Sequence, residues 1–508
     1  MTIFDFTSNG FEKWKFLEIN RKTRKKHIVQ KPEMGKIKVM FLCEDDEEFC
    51  CIYHYRTSEE IYSKIKSGEL QDLSCSYIKD FDITRAASFS NRKLNWFTAG
   101  YTFWDGDTFF DHSDFLSPFT DFKGANFGGG NVSFKGVNFS ETIVDFTSAG
   151  FEGNEVSFVG AKFGPRGCVF SKVNFGNARV NFDEAEFEGG KKSFDRIELL
   201  DGKMRFLSVK FGYGDLNFDF ATLNGSDIYF DYAVFDGGAI SFENVDLKGG
   251  RLNFHETRLR KACLSLFKVD ADRIVFRDIK FENHNDLRIR KVNEFLIENC
   301  IIEKALVFDK EFSEIEKMSF SNTINLGQIY IDWKNNRVKK AINAYTPAVE
   351  NKRGRIKKSK APKSDKANQF KMLKENFKIL GNYEDEDKAY REYMRNKTMG
   401  FPRNLVKIFG PIGSYGTRPL TILLSKVIIV LLFAWIFSSM GTMPNIAVAF
   451  SGTAFGWIYY SAVSFLTVGL GFFAQQTTSM AVLAIIEGSI GLLMMMYFAI
   501  SIIRKILR

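Results

Sequence analysis

From residue 110 onward, phenylalanine recurs in a strict alternation of five and seven. Phe110 is followed by Phe115, Phe122 by Phe127, Phe134 by Phe139, and the series runs on through Phe182 and Phe187. It then continues with Leu199, Leu223, Leu247 and Leu259 taking some of the places. Members of a pair are five residues apart, and each pair recurs after twelve. A helix repeats near 3.6 and a strand at 2, so neither carries this pattern. A coil that sets one inward anchor on each face and turns a corner between faces does carry it. Twelve residues at about 3.3 Å each enclose a perimeter of roughly 40 Å, too small for a column of rings. Two repeats, about 24 residues with four faces, therefore make one coil. At about 4.8 Å per coil the Phe series predicts a rod of about eight coils, roughly 35–40 Å long. The pairs Gly189-Gly190, Gly237-Gly238 and Gly249-Gly250 suit corners that need positive φ. The chain's 54 Phe against 9 Pro have the same source, one core-filling residue used again and again.

Small or β-branched residues sit two before many anchors, as in Ala161-Lys-Phe163, Val180-Asn-Phe182, Ala185-Glu-Phe187 and Ala233-Val-Phe235. These A/V-x-F-x-x units resemble the pentapeptide-repeat family over about residues 95–285, with alternate units enlarged from five to seven residues. The resemblance implies a right-handed quadrilateral β-helix, which we assign to residues 85–335. Such solenoids can mimic DNA when strongly acidic. Here acidic and basic side chains nearly balance, so no nucleic-acid partner is expected. A rigid assembly scaffold is one reading of the rod, and a surface for an unknown cytosolic ligand or protein is the other.

Residues 1–84 read as a small mixed region. It has β-like runs at 36–42 and 49–55, a helix at Ser58–Ser67, and an acidic cluster from Glu44 to Glu48. The cluster lacks the spaced Asp/Asn and Gly of a calcium loop and reads as a solvated turn. The amino terminus lacks the basic start, apolar run and cleavage site of a secretory signal, which places this part in the cytosol. The seven Cys are odd in number and irregularly spaced, favouring neither a disulfide framework nor a zinc site. Residues 336–364 are rich in Lys and Arg and read as a disordered basic linker, with attraction to anionic lipid as a second reading. Residues 365–400 carry two helical patterns, Phe370/Leu373/Phe377/Leu380 and Ala389/Tyr390/Tyr393, separated by Gly381. They form a helical hairpin similar to a tetratricopeptide unit. Residues 401–419 read as an interfacial pre-membrane segment, with a short helix at Pro402–Phe409.

No charged residue occurs between Lys426 and Glu487, although the chain is 26% charged. A soluble domain rarely buries so long a chargeless stretch, whereas a bilayer demands one because desolvating each charge costs several kcal/mol. Leu420–Met440, about 31 Å long as a helix, and Ala481–Ile503 are each long enough to span. Basic residues precede the first (Lys407, Arg418, Lys426) and follow the second (Arg504, Lys505, Arg508), which puts both ends of the pair in the cytosol. Between them, Thr453–Phe472 is as apolar as a span and ends in a Gly-rich turn. This loop reads as re-entrant, and non-helical backbone at that depth is tolerated only inside protein or along a watery cavity. A short helix at about 453–465 would aim its carbonyl end, favourable to a cation, into that cavity.

Thr467-Val468-Gly469-Leu470-Gly471 comes directly after it, and with its flanking helices it resembles the selectivity filter of the two-transmembrane potassium-channel family. The resemblance covers residues 420–503, within a pore domain read as residues 420–508. It implies backbone carbonyls of Thr467 to Gly471 replacing the hydration shell of a permeant potassium ion, with four copies of the chain around one axis. It implies passive conduction in a cell membrane, no cofactor beyond the permeant ion and no catalysis. In agreement, the five His are dispersed, without metal or nucleophile spacing. Two positions depart from the family pattern. Leu470 stands where Tyr is usual and Phe472 where Asp is usual, so the filter loses its usual hydrogen-bonded bracing and its potassium-over-sodium selectivity is in doubt. Glu487, the only charge inside the second span, either braces the pore helix or sits near the outer interface. Gly488 and Gly491 serve either as a gating hinge or for close helix packing. The competing reading of the whole chain is a membrane-anchored scaffold that conducts nothing.

Overall fold

The computed structural model describes residues 2–8, 24–43, 48–69, 71–85, 93–94, 97–308, 314–333, 337–350, 356–358, 362–397, 414–440, 453–467 and 477–507. The chain divides into two units, Met1–Ala361 and Pro362–Arg508.

The first unit opens with β1 (Thr2–Asp5), β2 (Arg24–Val29), β3 (Lys36–Cys43) and β4 (Glu48–Tyr55). β3 pairs antiparallel with both β2 and β4, as alternating apolar runs joined by short turns should. β4 also pairs parallel with Ser76–Asp82, so this region is continuous with the first coils. The solenoid accordingly starts at about residue 54, ahead of the Phe series. α1 (Ser58–Ser67) begins in a capping box: Thr57 Oγ1 accepts from Glu60 N–H (3.4 Å), and the Glu60 carboxylate accepts from Thr57 N–H (3.3 Å).

Each coil has four faces, formed by short strands or, at Asn174, Glu198 and Thr222, by single bridges. Asp114–Phe115, Phe119–Asp121, Asn126–Phe127 and Val132–Ser133 lie on successive faces, and Asn138–Phe139 returns beside the first. Pairing is parallel and in register, Phe139 with Phe163, Phe163 with Phe187 and Phe187 with Phe211, so one coil takes about 24 residues and holds two repeats. The rings obey the same geometry. Phe170 stacks on Phe146 (5.0 Å between centroids) and Phe194 (4.8 Å), one coil away on either side. It meets Phe158 and Phe182, one repeat away in either direction, edge-on at 88° and 87°. Stacking separations thus match the strand spacing of about 4.8 Å, and the edge-on contacts set ring edges against ring faces.

The solenoid has about eleven turns, more than the eight expected. Beyond residue 260 aliphatic residues such as Leu266, Ile274, Ile297 and Ile302 fill the inward places, fully buried as the Phe residues are. The step also shortens: Asp270 pairs with Lys291 and Lys291 with Glu314, each closer in sequence than Phe163 is to Phe187. A ladder keyed on Phe at fixed spacing fades there, while the burial that drives coil formation persists. The corners also depart from expectation. Gly190 has φ +65°, and a Cβ on it would meet the Gly167 nitrogen at 2.5 Å. Another edge, however, turns through Ser148, Lys172, Arg196, Phe220, Asn244 and Lys268, all at φ 54–60°. Left-handed corners at non-glycine residues cost about 1–2 kcal/mol each, offset by the burial they permit on both sides.

Part of the stretch read as a basic linker is folded. α2 (Arg337–Ala344) buries Val338, Ala341 and Ile342, while Lys340 faces outward. Tyr345 then packs on Val275 and Leu296 and donates to Glu298 (2.7 Å), which also accepts from Arg277 (2.8 Å). The apolar i, i+3, i+4 face outweighs the local charge. A two-stranded antiparallel pair, Ala348–Glu350 with Ile356–Lys358, comes next.

The second unit begins with a hairpin of α3 (Lys363–Ile379) and α4 (Tyr383–Asn396), turned at Gly381 (φ +69°) and closed over Phe370, Leu373, Phe377 and Ala389. Three helices complete it: α5 (Pro419–Ser439), α6 (Ala454–Phe465) and α7 (Thr478–Ile506). The segment read as interfacial, Pro402–Phe409, lies outside the described residues.

Candidate functional site

α5 and α7 are long and apolar enough to cross a membrane, yet only 22% of the apolar stretch of the first and 28% of the second is buried. The core helix of a soluble protein buries most of such a stretch, whereas these two candidate spans leave most of theirs uncovered. Proline at the start of α5 suits the first helical turn, where its missing N–H is no loss.

α6 is the short helix between them. Its twelve residues reach about 18 Å, roughly half the depth of a bilayer core. Aromatic and aliphatic contacts hold it at its middle and at its carboxyl end. Tyr460, fully buried, meets Phe437 edge-on at 4.9 Å beside Phe433, Met480 and Ala484. Phe465 packs against Ile422 and Met494. At its carboxyl end Leu466 N–H donates to Ala462 O and Thr467 N–H to Ser464 O, both at 3.0 Å. Thr467 is exposed and has φ +61°, unusual for a β-branched residue, so the chain leaves the helix sharply there. Val468, Gly469, Leu470, Gly471 and Phe472 lie outside the described residues, as does the acidic run from Glu44 to Glu47. Among the described residues no group of three or more His, Cys, Asp or Glu could hold a metal.

The structure brings Glu487, Gly488 and Gly491 together on the face of α7 that is buried within this unit. Gly491 lies against the end of α6, where an added Cβ would stand 1.8 Å from the Phe465 carbonyl oxygen. Close packing is the use of this glycine that the geometry displays, and α7 runs as a continuous helix through it. Glu487 is fully buried and bonded to Ser461 on α6.

Sequence reasoning missed four further features. Ser461 also donates to the Val430 carbonyl of α5 (2.8 Å), so it touches both long helices. Ser501 of α7 donates to Gly416 O (3.0 Å), and Arg391 of α4 donates to Thr417 Oγ1 (2.9 Å). Arg504 lies over the Tyr390 ring at 4.3 Å and within 3.3 Å of Asp387, tying the end of α7 to α4. A serine amid a chargeless apolar run was a visible signal for the first. The others join residues far apart in the chain and left no local mark.

Compared with known families, residues 425–508 match the family model described as "Ion channel". No curated protein and no solved structure matches the chain. The match spans α5, α6 and α7 together, so the helix, short helix and helix form an ion-channel domain with two candidate membrane spans.

Proposed function

We propose that this ion-channel domain makes the chain one subunit of a tetrameric cation channel of potassium-channel architecture, with Thr467, Val468, Gly469, Leu470 and Gly471 as its filter. The observation that carries the reading is the end of α6. A half-depth helix, packed between two membrane-length helices, ends at Phe465, two residues before Thr467 opens T-V-G-L-G, so its carbonyl end is the last helical element ahead of that sequence. One copy of this arrangement cannot enclose an axial path, so four copies form a closed cyclic ring. Ions, potassium above all, pass between cages of backbone carbonyls, each weak enough to release its ion. The basic residues flanking both spans place the two ends of the domain on the cytosolic side. The solenoid serves assembly or regulation as a rigid body, because each coil is held by its neighbours on both sides.

The test is the reversal potential of purified, reconstituted protein in a potassium/sodium gradient. Current that reverses toward the potassium equilibrium potential, and is lost in Gly469→Ala and Gly471→Ala, supports the filter. Current unchanged in both variants refutes it. No current under any condition favours the membrane-anchored scaffold.

A further inference from the structure

We propose that Ser461 is a positioning residue for the conduction path, the middle link of an ordered proton chain from Glu487 on α7, through its own hydroxyl, to the Val430 carbonyl on α5. The inference rests on the channel reading above. Ser461 and Glu487 are both fully buried. Ser461 Oγ lies 2.8 Å from Val430 O and is also bonded to Glu487 Oε1. A hydroxyl has one proton and two lone pairs, while a backbone carbonyl only accepts. If the Ser461 proton goes to Val430, the contact with Glu487 needs a second proton, and only the carboxyl group can supply it. If the Ser461 proton goes to Glu487 instead, the Ser461 and Val430 oxygens face each other at hydrogen-bond distance with no proton between them.

The surroundings favour the first arrangement. Glu487 Oε2 is buried and has no hydrogen-bond partner among the described residues. As the carbonyl oxygen of a neutral acid it loses one hydrogen bond; as part of an anion it would be an uncompensated buried charge. Of the cations within the two spans, Lys426 lies over the Phe498 ring at 4.4 Å, Arg504 lies beside Asp387, and Lys505 is at the far end of α7 from Glu487. Glu487 therefore acts as a neutral donor.

The consequence concerns α6. Tyr460 and Phe465 hold α6 between the long helices, and the Ser461 bonds to α5 and α7 add a directional constraint on its roll. Ser461 stands less than two helical turns before Thr467, so the roll of α6 sets the direction in which the filter backbone departs.

The experiment uses the full chain reconstituted in liposomes, with folding checked by thermal unfolding. Ser461→Ala should lower unitary conductance, or change the potassium/sodium permeability ratio, at least three-fold. Glu487→Gln keeps a neutral donor and should stay within two-fold of wild type in both. In the infrared, wild type minus Glu487→Gln should show the carbonyl band of a protonated carboxyl at neutral pH. Wild-type conduction in Ser461→Ala overturns the positioning role. Absence of the infrared band, or a Glu487→Gln that behaves like Ser461→Ala, overturns the proton order. A wild type that passes no ion in any gradient overturns the channel reading, and the positioning role with it, while the infrared band still decides the proton order.

Discussion

Replacing Gly491 by alanine puts a methyl group where the structure has no room for one. The added Cβ would stand 1.8 Å from Phe465 O and 2.8 Å from Phe465 C. Ordinary contact begins near 3.4 Å, so α7 and the end of α6 must separate by about 1.6 Å to restore it. The atoms in the way belong to backbone, and no side-chain rotation relieves the clash. Overpacking of this kind costs about 1–3 kcal/mol, and here the displaced group is the carboxyl end of the helix that leads into Thr467. Gly491→Ala should therefore unfold at a lower temperature than wild type and also change unitary current or reversal potential. Ser489→Ala is the control, since Ser489 is exposed and, among the described residues, its hydroxyl bonds to Ile485 O of its own helix (2.8 Å). It should leave melting and current unchanged. The assays are thermal unfolding of the solubilised protein and single-channel recording after reconstitution. A Gly491→Ala protein with wild-type melting and wild-type current would refute the close-approach argument.

Three other outcomes are expected. Phe170→Ala removes a fully buried ring stacked on both sides and should destabilise the solenoid by about 3–5 kcal/mol, whereas Phe170→Leu, which keeps most of the volume, should cost well under half of that; chemical denaturation followed by circular dichroism measures both. His27 is held up to about 9 by hydrogen bonds to Asp105 and Glu152. Because its folded value lies above the ordinary 6.5, its stabilising effect is complete below pH 6.5 and is lost as pH rises through about 9, so the melting temperature of wild type should fall across that window more than that of His27→Gln. Arg504→Ala removes the cation that the end of α7 sets beside Asp387 and Glu386 and should cost on the order of 1–3 kcal/mol, between the values for exposed and buried pairs. Hydrogen exchange should then quicken in α4; unchanged protection there would show that the pair holds nothing.

The elements of this protein were legible where one residue's chemistry repeats or is excluded over a long stretch. The five-and-seven Phe alternation specified coils of two repeats, because only a coil with four faces brings Phe139, Phe163 and Phe187 into one column. The capped helix Ser58–Ser67 and the hairpin around Gly381 were readable from local signals alone. The chargeless run after Lys426 marked the membrane pair because a bilayer tolerates no unpaired charge. The sequence pattern failed where packing replaced Phe by Ile, as at Ile297 in register with Phe276 and Ile302 in register with Phe281, since equal burial leaves no fixed letter behind. It failed again at α2, where the basic charge is conspicuous but the buried Val338, Ala341 and Ile342 decide the conformation.

The sequence by itself determined the two architectures of this chain, a β-solenoid and a paired-helix channel domain with T-V-G-L-G between its spans. Periodicity and charge exclusion are properties of a linear string, and they can be read without knowing what touches what. Only the tertiary structure decided what Glu487 and Gly491 do, because their meaning depends on Ser461, Val430 and Phe465, which lie on other helices. A buried carboxyl is defined by the hydroxyl beside it, and a glycine by the backbone that occupies the place of its missing side chain.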